Sequence, residues 1–288
     1  MSGKLYKIAL ISGIVAVLAA LFGFWLFAAS AGGYLEVDFL DVGQGDAILI
    51  KTPAGQNVLI DGGPDIAVTR DLSRNLPWWD RTIDLMILTH PHDDHVNGLN
   101  DVLRRYAVKK ILYTGVSHDS PGYLNWLRLV REEKASLLIA DRPQTVRLGD
   151  NCYMEILYPL ESVLGRRVEN LNNSSIVAKL VYGDTEFLFM GDAESEVEKG
   201  LLEKNVDLSA DILKAGHHGS DTSSSEEFLA AILPEIAVIQ VGENNNFGHP
   251  SRRILKRLER IRTQVYRTDL EGTIRLISDG DMIKKDGN

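Results

Sequence analysis

One cysteine, Cys152, occurs in 288 residues, so no internal disulfide can staple the chain and its stability must come from burial. Nine prolines and 25 glycines fall short of a collagen or low-complexity composition. Positive charge is also scarce: 31 basic side chains face 40 acidic ones, a formal charge of −9. Two of those bases, Lys4 and Lys7, lie in an acid-free leader, which leaves the remainder at −11. Coating nucleic acid by bulk charge is therefore excluded. What is present, 44% hydrophobic and 25% charged residues, is ordinary globular composition, enough for one large domain or two small ones.

Charge is missing altogether from Ile8 to Phe27, IALISGIVAVLAALFGFWLF. At about 1.5 Å per residue a helix of that length crosses a hydrocarbon core of about 30 Å. The reading is a leader at 1–7, a transmembrane anchor at 8–29, a linker at 30–33 containing Gly32-Gly33, and one domain at 34–288. The positive leader places the N-terminus in the cytoplasm and the domain across the membrane. A cleaved signal peptide is the rival, with Ala29-Ser30-Ala31 as the cleavage site, although such apolar cores usually run about 7–15 residues.

Beyond Tyr34 no internal repeat or later linker interrupts the pattern. Strands are expected at Tyr34 to Leu40, Ala47 to Thr52, Asn57 to Ile60, Asp84 to Thr89, Ile111 to Tyr113 and Leu137 to Ala140. Five more are expected at Cys152 to Tyr158, Ser175 to Tyr182, Glu186 to Met190, Ile212 to Ala215 and Ile236 to Val241. Helical periodicity marks Val96 to Tyr106, Gly122 to Lys134, Glu194 to Lys204, Ser224 to Ile232 and Ser251 to Ile261. Hairpin-length turns mixed with helical crossovers favour two sheets packed face to face under helices over a single parallel sheet. The expected class is α/β, a four-layer αββα sandwich.

Six of the seven histidines fall in three turn-like places: His90, His92 and His95; His217 and His218; and His249. The densest, T-H-P-H-D-D-H, follows the apolar strand DLMIL, so nitrogen and oxygen donors gather at a strand's carboxyl end, a mix that suits borderline divalent ions. Ligands so close in sequence strain around one ion, which divides them into His90 with His92 and Asp94 with His95, a two-metal centre. Two cations about 3.5–4 Å apart need shared negative charge between them. Asp192 is assigned as that bridge: it leaves the strand EFLFM after Gly191, although alone it would read as a helix N-cap. In Gly216-His217-His218-Gly219 adjacent side chains diverge, so one histidine takes metal and the other faces substrate; His218 is favoured as ligand and His217 as phosphate-facing. His249 precedes a segment with Arg252, Arg253, Lys256, Arg257, Arg260 and Arg262 against Glu259, a pattern that suits an anion and equally a solvated helix face. His118 stays unassigned.

His90-x-His92-x-Asp94-His95, then Gly191-Asp192 and His217-His218-Gly219-Ser220, resembles the metallo-β-lactamase superfamily. Within it, Asp41-Val42-Gly43-Gln44-Gly45-Asp46-Ala47, Leu59-Ile60-Asp61-Gly62-Gly63, Asn172-Asn173-Ser174-Ser175 and Gly248-His249-Pro250 are similar to the hydrolase domain at the C-terminus of ComEC competence proteins. The resemblance covers about Tyr34 to the end. It implies an αββα fold, a dinuclear site between two sheets, and a phosphodiesterase or nuclease acting on DNA outside the cytoplasm. Asn172 and Asn173 stand where most of the superfamily supplies a third histidine, which leaves His90, His92 and Asp192 on one metal and makes Mn²⁺ as credible as Zn²⁺. ComEC proteins carry many membrane spans and this chain offers one, so DNA uptake is not implied.

The expected chemistry is phosphodiester hydrolysis by a metal-activated water. Asp94 would orient the nucleophile, and His217, Asn173 and His249 would serve as phosphate donors or leaving-group acids. Substrate contacts are expected from Asn172, Asn173, Ser175, His217, Ser220 and His249, with single-stranded DNA or another phosphodiester as partner. Rival readings keep the site for a cell-envelope phosphoester such as a teichoic-acid choline phosphate, for a lactam or for a thioester. A different class is a non-catalytic, membrane-anchored metal-binding protein.

Overall fold

The structure, a computed structural model, describes residue 7, residues 11–23 and residues 33–287. Residues 11–23 are helical with every side chain exposed. The rest of the expected anchor, 8–10 and 24–29, lies outside the described residues. Among the described residues no helix is long and apolar enough to cross a membrane.

From residue 33 onward the first half runs β1 (Leu35–Phe39), β2 (Ile48–Lys51), β3 (Asn57–Ile60), α1 (Ala67–Asn75), β4 (Thr82–Ile83) and β5 (Leu85–Leu88). It continues with α2 (Asp93–Leu103), β6 (Ala107–Val108), β7 (Lys110–Tyr113), α3 (Pro121–Glu132) and β8 (Ser136–Ile139). The second half opens with β9 (Gln144–Arg147), β10 (Cys152–Tyr158), β11 (Val177–Tyr182), β12 (Thr185–Phe189), α4 (Ser195–Glu203) and β13 (Ile212–Lys214). It closes with α5 (Glu226–Ile232), β14 (Ile236–Ile239), α6 (Arg252–Arg260), β15 (Gln264–Arg267), α7 (Thr268–Glu271), β16 (Ile274–Ser278) and β17 (Ile283–Lys285).

Strand alternation sorts the apolar side chains into layers. In the adjacent strands β3 and β5, Val58, Ile60, Leu85 and Ile87 face the second sheet while Leu59, Met86 and Leu88 face the helices α1 to α3. Such strands are buried on both faces, which is why they read as continuous apolar runs. Eight strands form one sheet, ordered β17-β16-β1-β2-β3-β5-β7-β8, and seven form the other, ordered β15-β14-β13-β12-β11-β10-β9. One core lies between the sheets, a second under α1 to α3, and a third between the seven-stranded sheet and α4 to α6. This is the expected αββα order.

Within the first sheet β3, β5, β7 and β8 run parallel, and within the second so do β12 to β15. Their carboxyl ends therefore deliver the loops after Ile60, Leu88, Phe189, Lys214 and Ile239 to one rim of the sandwich, where the chemistry-bearing motifs sit. Serines cap the helices that leave this framework: Ser120, Ser225 and Ser251 each accept a hydrogen bond from the backbone N–H three residues on.

Helix α2 starts at Asp93, not near Val96, because two first-turn acids, Asp93 and Asp94, suit the positive end of its dipole. Asp94 and His95 thus lie inside the helix, and His90 and His92 precede it. Helix α1 escaped the periodicity because it buries only Val68, Thr69, Asp71 and Leu72 within a polar stretch. Strands β9, β15 and β17, also unforeseen, are short edge strands of mostly half-buried or exposed residues, and β16, unforeseen too, lies one strand in and alternates buried with half-buried residues.

Phe189 packs its ring 6.2 Å from that of Phe39 across the inter-sheet core. Phe189→Ala is expected to cost about 3–5 kcal/mol, read as a lowered urea midpoint, whereas Leu137→Ala on the half-exposed strand β8 should stay below about 1 kcal/mol.

Candidate metal centre

Five loops meet at this rim. The turn after β5 brings His90, which is buried, and His92, whose Nδ1 lies 2.9 Å from His90 Nε2. The first turn of α2 adds Asp94 and His95. From the opposite sheet the turn after β12 brings Asp192, 2% exposed, and the turn after β13 brings His218. Donor atoms of Asp94, His95, Asp192 and His218 all lie within 4.8 Å of one another, and so do those of His90, His92 and Asp192. Asp192 belongs to both groups. Each group could therefore hold a metal ion, and Asp192 would serve both, supplying the shared negative charge that paired cations require.

The fit to metal shows in the atoms left unpaired. His95 Nε2, His218 Nε2 and Asp192 Oδ1 are buried without a hydrogen bond. Yet His95 Nε2 and His218 Nε2 stand 3.3 and 3.4 Å from Asp192 Oδ2, and His218 Nε2 stands 3.3 Å from Asp94 Oδ2. Leaving such groups unsatisfied costs about 1–3 kcal/mol each, a penalty that a shared cation removes.

Each imidazole is aimed by a partner on its other nitrogen. His95 Nδ1 donates to Asp61 Oδ2 at 2.8 Å, and Asp61 also accepts from the backbone N–H and hydroxyl of Thr89. His218 Nδ1 donates to the carbonyl of Gln240 at 3.0 Å and lies 3.3 Å from Asp46 Oδ1. Asp46 is itself ion-paired with the buried ammonium of Lys214. Asp46, Asp61 and Lys214 act on the centre without having been singled out among the expected site residues. Their signal lay in the sequence: each is a charged residue at or beside the end of an apolar strand, where burial demands a partner.

The electrostatics follow from this crowding. Burial opposes the charged form of Asp192, yet His218 and His95 overcome it and hold its carboxyl well below the usual range. Burial likewise opposes charge on His95, but Asp192, Asp94 and Asp61 carry it well above the ordinary histidine value. His218 rises in the same way against burial, through Asp192 and Asp46. His90 and His92 move down, because burial and the neighbouring His95 disfavour their charged forms. In the metal-free centre two imidazolium rings thus supply the positive charge.

The remaining expected residues divide. Consecutive left-handed conformations at His217 (φ 47°) and His218 (φ 52°) throw the two rings apart. His218 turns inward, its side chain 2% exposed, and His217 turns to the rim at 23%. The open pocket over the centre, about 230 Å³, is lined by Gln44, His92, Asp94, Asn172, Asp192, His217, His218, Phe247 and His249. Asn172 reaches the pocket, whereas Asn173 turns away: its Nδ2 donates to Glu196, and its Oδ1 accepts from the Glu194 backbone N–H. Ser175, expected to touch substrate, is fully buried, and its Oγ accepts from the Asp192 backbone N–H. Ser220, 4% exposed, accepts from Thr222 through its Oγ. Both serines shape the turns behind the pocket. The basic helix α6 is partly consumed: Arg257 bonds the Ser223 and Ser224 carbonyls, Arg260 pairs with Glu226 at 2.7 Å, and Arg253 approaches Asp221 at 3.8 Å.

Metal needs the bare Nε2 of His95 and His218, so uptake must expel the protons these raised rings hold at neutral pH. Metal affinity is expected to rise with pH through the neutral range, with protons released on binding, as measured by calorimetry in buffers of different ionisation enthalpy. In the metal-free protein the same two rings contribute stability that is complete below about pH 6.5 and fades as pH rises through their folded values. Metal uptake that neither releases protons nor varies with pH would contradict this charge assignment.

Residues 40–243 match the sequence pattern of the Metallo-beta-lactamase superfamily. Curated relatives include ComE operon protein 3 of Bacillus subtilis, 29% identical over 83% of this chain and 32% of its own length. Competence protein ComA of Neisseria gonorrhoeae is 30% identical over 81% of this chain and 31% of its own length. Recombination protein 2 of Haemophilus influenzae is 28% identical over 84% and 28%. The chain thus spans about a third or less of the curated relatives it matches. Among solved structures, the metallo-beta-lactamase fold protein YhfI from Bacillus subtilis superposes with a TM-score of 0.55 at 11% identity, covering 88% of this chain and all of YhfI. CmlA, a diiron beta-hydroxylase from Streptomyces venezuelae, gives 0.53 at 16% identity, covering 85% of this chain and 54% of CmlA. With the paired ligand groups, the αββα sandwich and a sequence match over most of its length, the chain belongs to the metallo-beta-lactamase superfamily.

Proposed function

We propose that the domain is a metal-dependent phosphodiesterase whose substrate is DNA, working outside the cytoplasm. The observation that carries this reading is Asp192 shared between two ligand groups beneath a pocket open to solvent. The names of two curated relatives, one a competence protein and one a recombination protein, favour DNA over other phosphodiesters. Two divalent ions, Zn²⁺ or Mn²⁺, held by His90, His92 and Asp192 and by Asp94, His95, His218 and Asp192, would supply a water activated at neutral pH and neutralise phosphate charge.

The chain's own groups do the rest. Asp94, its side chain one third exposed at the pocket floor, stays ionised because His95 and His218 outweigh the effect of burial, and it can orient the incoming water. His217, at the rim, lies 3.2 Å from Glu194 through Nδ1 and is thereby oriented with Nε2 towards the pocket and Asn172. There, when both ring nitrogens carry protons, it can donate to a phosphate or leaving oxygen. His249 has a different character: burial, then His217 and His218, lower its pKa to about 4. It meets substrate as a neutral ring, polar but without charge.

Residues 8–29 complete the proposal as a membrane anchor. The charge-free run and the exposed apolar side chains of residues 11–23 support it. The chain is expected to remain in the membrane fraction through alkaline carbonate washing, with the domain open to protease added outside intact cells. Release by carbonate would remove the anchor from the proposal.

With Mn²⁺ or Zn²⁺, the protein is expected to cleave single-stranded DNA and bis(p-nitrophenyl) phosphate. His92→Ala and Asp192→Asn should lose more than the roughly 10–100-fold that outer-layer changes at metal sites cost. Turnover confined to choline phosphodiesters, lactams or thioesters would replace the DNA reading. Metal bound with every such substrate untouched would leave a binding protein.

A further inference from the structure

Phe247 is the only apolar side chain lining the pocket among the described residues, and it is 70% exposed. Its loop is tied down. Asn245 Oδ1 accepts from the backbone N–H groups of Phe247 (3.2 Å) and His249 (3.0 Å), and Asn245 Nδ2 donates to the carbonyls of Gly242 (2.9 Å) and His249 (2.8 Å). The loop's root is fixed as well: Gly242 packs so closely on the Gln44 loop that a Cβ there would meet the Gln44 nitrogen at 2.7 Å. The Phe247 ring is thus held at the pocket mouth on a braced loop.

One face of that ring stacks on His249, with centroids 5.7 Å apart and planes 25° from parallel. His249 in turn lies 5.4 Å from His217 and 6.4 Å from the metal-side His218. A ladder of flat rings therefore leads from the ligand group to the rim and ends in an exposed aromatic face. An apolar ring in that place offers nothing to a phosphate, because it has neither charge nor a hydrogen-bond donor. What it offers is a flat, polarisable surface one short tether away from where a phosphodiester would sit, and a nucleobase is the flat aromatic group that such a tether carries.

We propose that Phe247 is the stacking platform for the nucleobase adjoining the scissile phosphate, so that the pocket takes an unpaired, base-bearing strand. This rests on the phosphodiesterase reading and narrows its substrate class. A base inside a duplex has both faces covered by its neighbours, whereas an unpaired base can lay one face on Phe247. Arg252, exposed at the start of α6 just past His249, supplies positive charge for the adjoining backbone.

The test compares a short single-stranded oligodeoxynucleotide with an abasic oligomer of the same length, using the full chain with Mn²⁺ and the Phe247→Ala and Phe247→Tyr variants. Wild type is expected to favour the base-bearing strand by about tenfold in kcat/KM, the worth of one stacked base. Phe247→Ala should reduce that preference to near unity with metal uptake unchanged, and Phe247→Tyr should restore it. Fluorescence-anisotropy binding of both oligomers to the metal-free chain should follow the same order. If wild type cleaves neither oligomer yet binds the base-bearing one through Phe247, the platform stands and the phosphodiesterase reading fails. Equal handling of both oligomers in cleavage and in binding would overturn the platform and hand the ring to a sugar or lipid group.

Discussion

A carboxylate almost wholly buried at the floor of a pocket, facing imidazoles from two sheets, is the constraint on which this domain turns. Asp192 is 2% exposed and turns one oxygen, Oδ2, to His90, His95 and His218 across the meeting line of the two layers. Around it Asp46, Asp61 and Asp94 add further negative charge, so the rim holds together only if positive charge is placed among them. Lys214 answers Asp46, protonated His95 and His218 answer the rest, and metal held by the same side chains would replace those protons. Stability and chemistry at this rim are one charge balance viewed in two states.

Bringing the carboxylates together requires backbones to approach more closely than side chains allow. At Gly45, with φ +145°, an added Cβ would run into the Asp94 carbonyl, and at Gly98 it would run into the Gly62 carbonyl. The loop after β1 and the loop after β3 therefore lie directly against the first turns of α2, where Gly62 N donates to the His95 carbonyl at 2.8 Å. Substituting either glycine would push apart the turns that carry Asp46, Asp61 and His95. The same economy places two left-handed histidines in succession, a strained backbone that sends one ring to the metal side and one to the pocket.

Much of this was legible in the residue order. The dense cluster from His90 to His95, the Gly-Asp step at Asp192 and the histidine pair at 217 and 218 each follow an apolar strand, and strands end where ligands can converge. The division of His90 and His92 from Asp94 and His95 follows from local strain, and the structure places the two pairs in separate groups around Asp192. Less legible were residues whose role depends on a distant partner. Nothing near Ser175 signals that its hydroxyl props up the Asp192 turn 17 positions later, and nothing near Asn173 signals that it brackets Glu194. The basic stretch from Arg252 to Arg262 reads as one charged face, yet several of its cations are claimed by carbonyls and carboxylates brought alongside by folding.

By itself the sequence determined which kinds of atoms are available, and roughly where along the chain, because ligand type, strand alternation and glycine placement are local properties. Only the tertiary structure decided which of those atoms gather in one ligand group, which lock a neighbour in place and which face the solvent. Those outcomes depend on two sheets, one of which joins the first strands of the domain to its last two, β16 and β17, arriving at the same edge, and distances of a few ångströms across that edge are set by packing that no stretch of residues encodes alone.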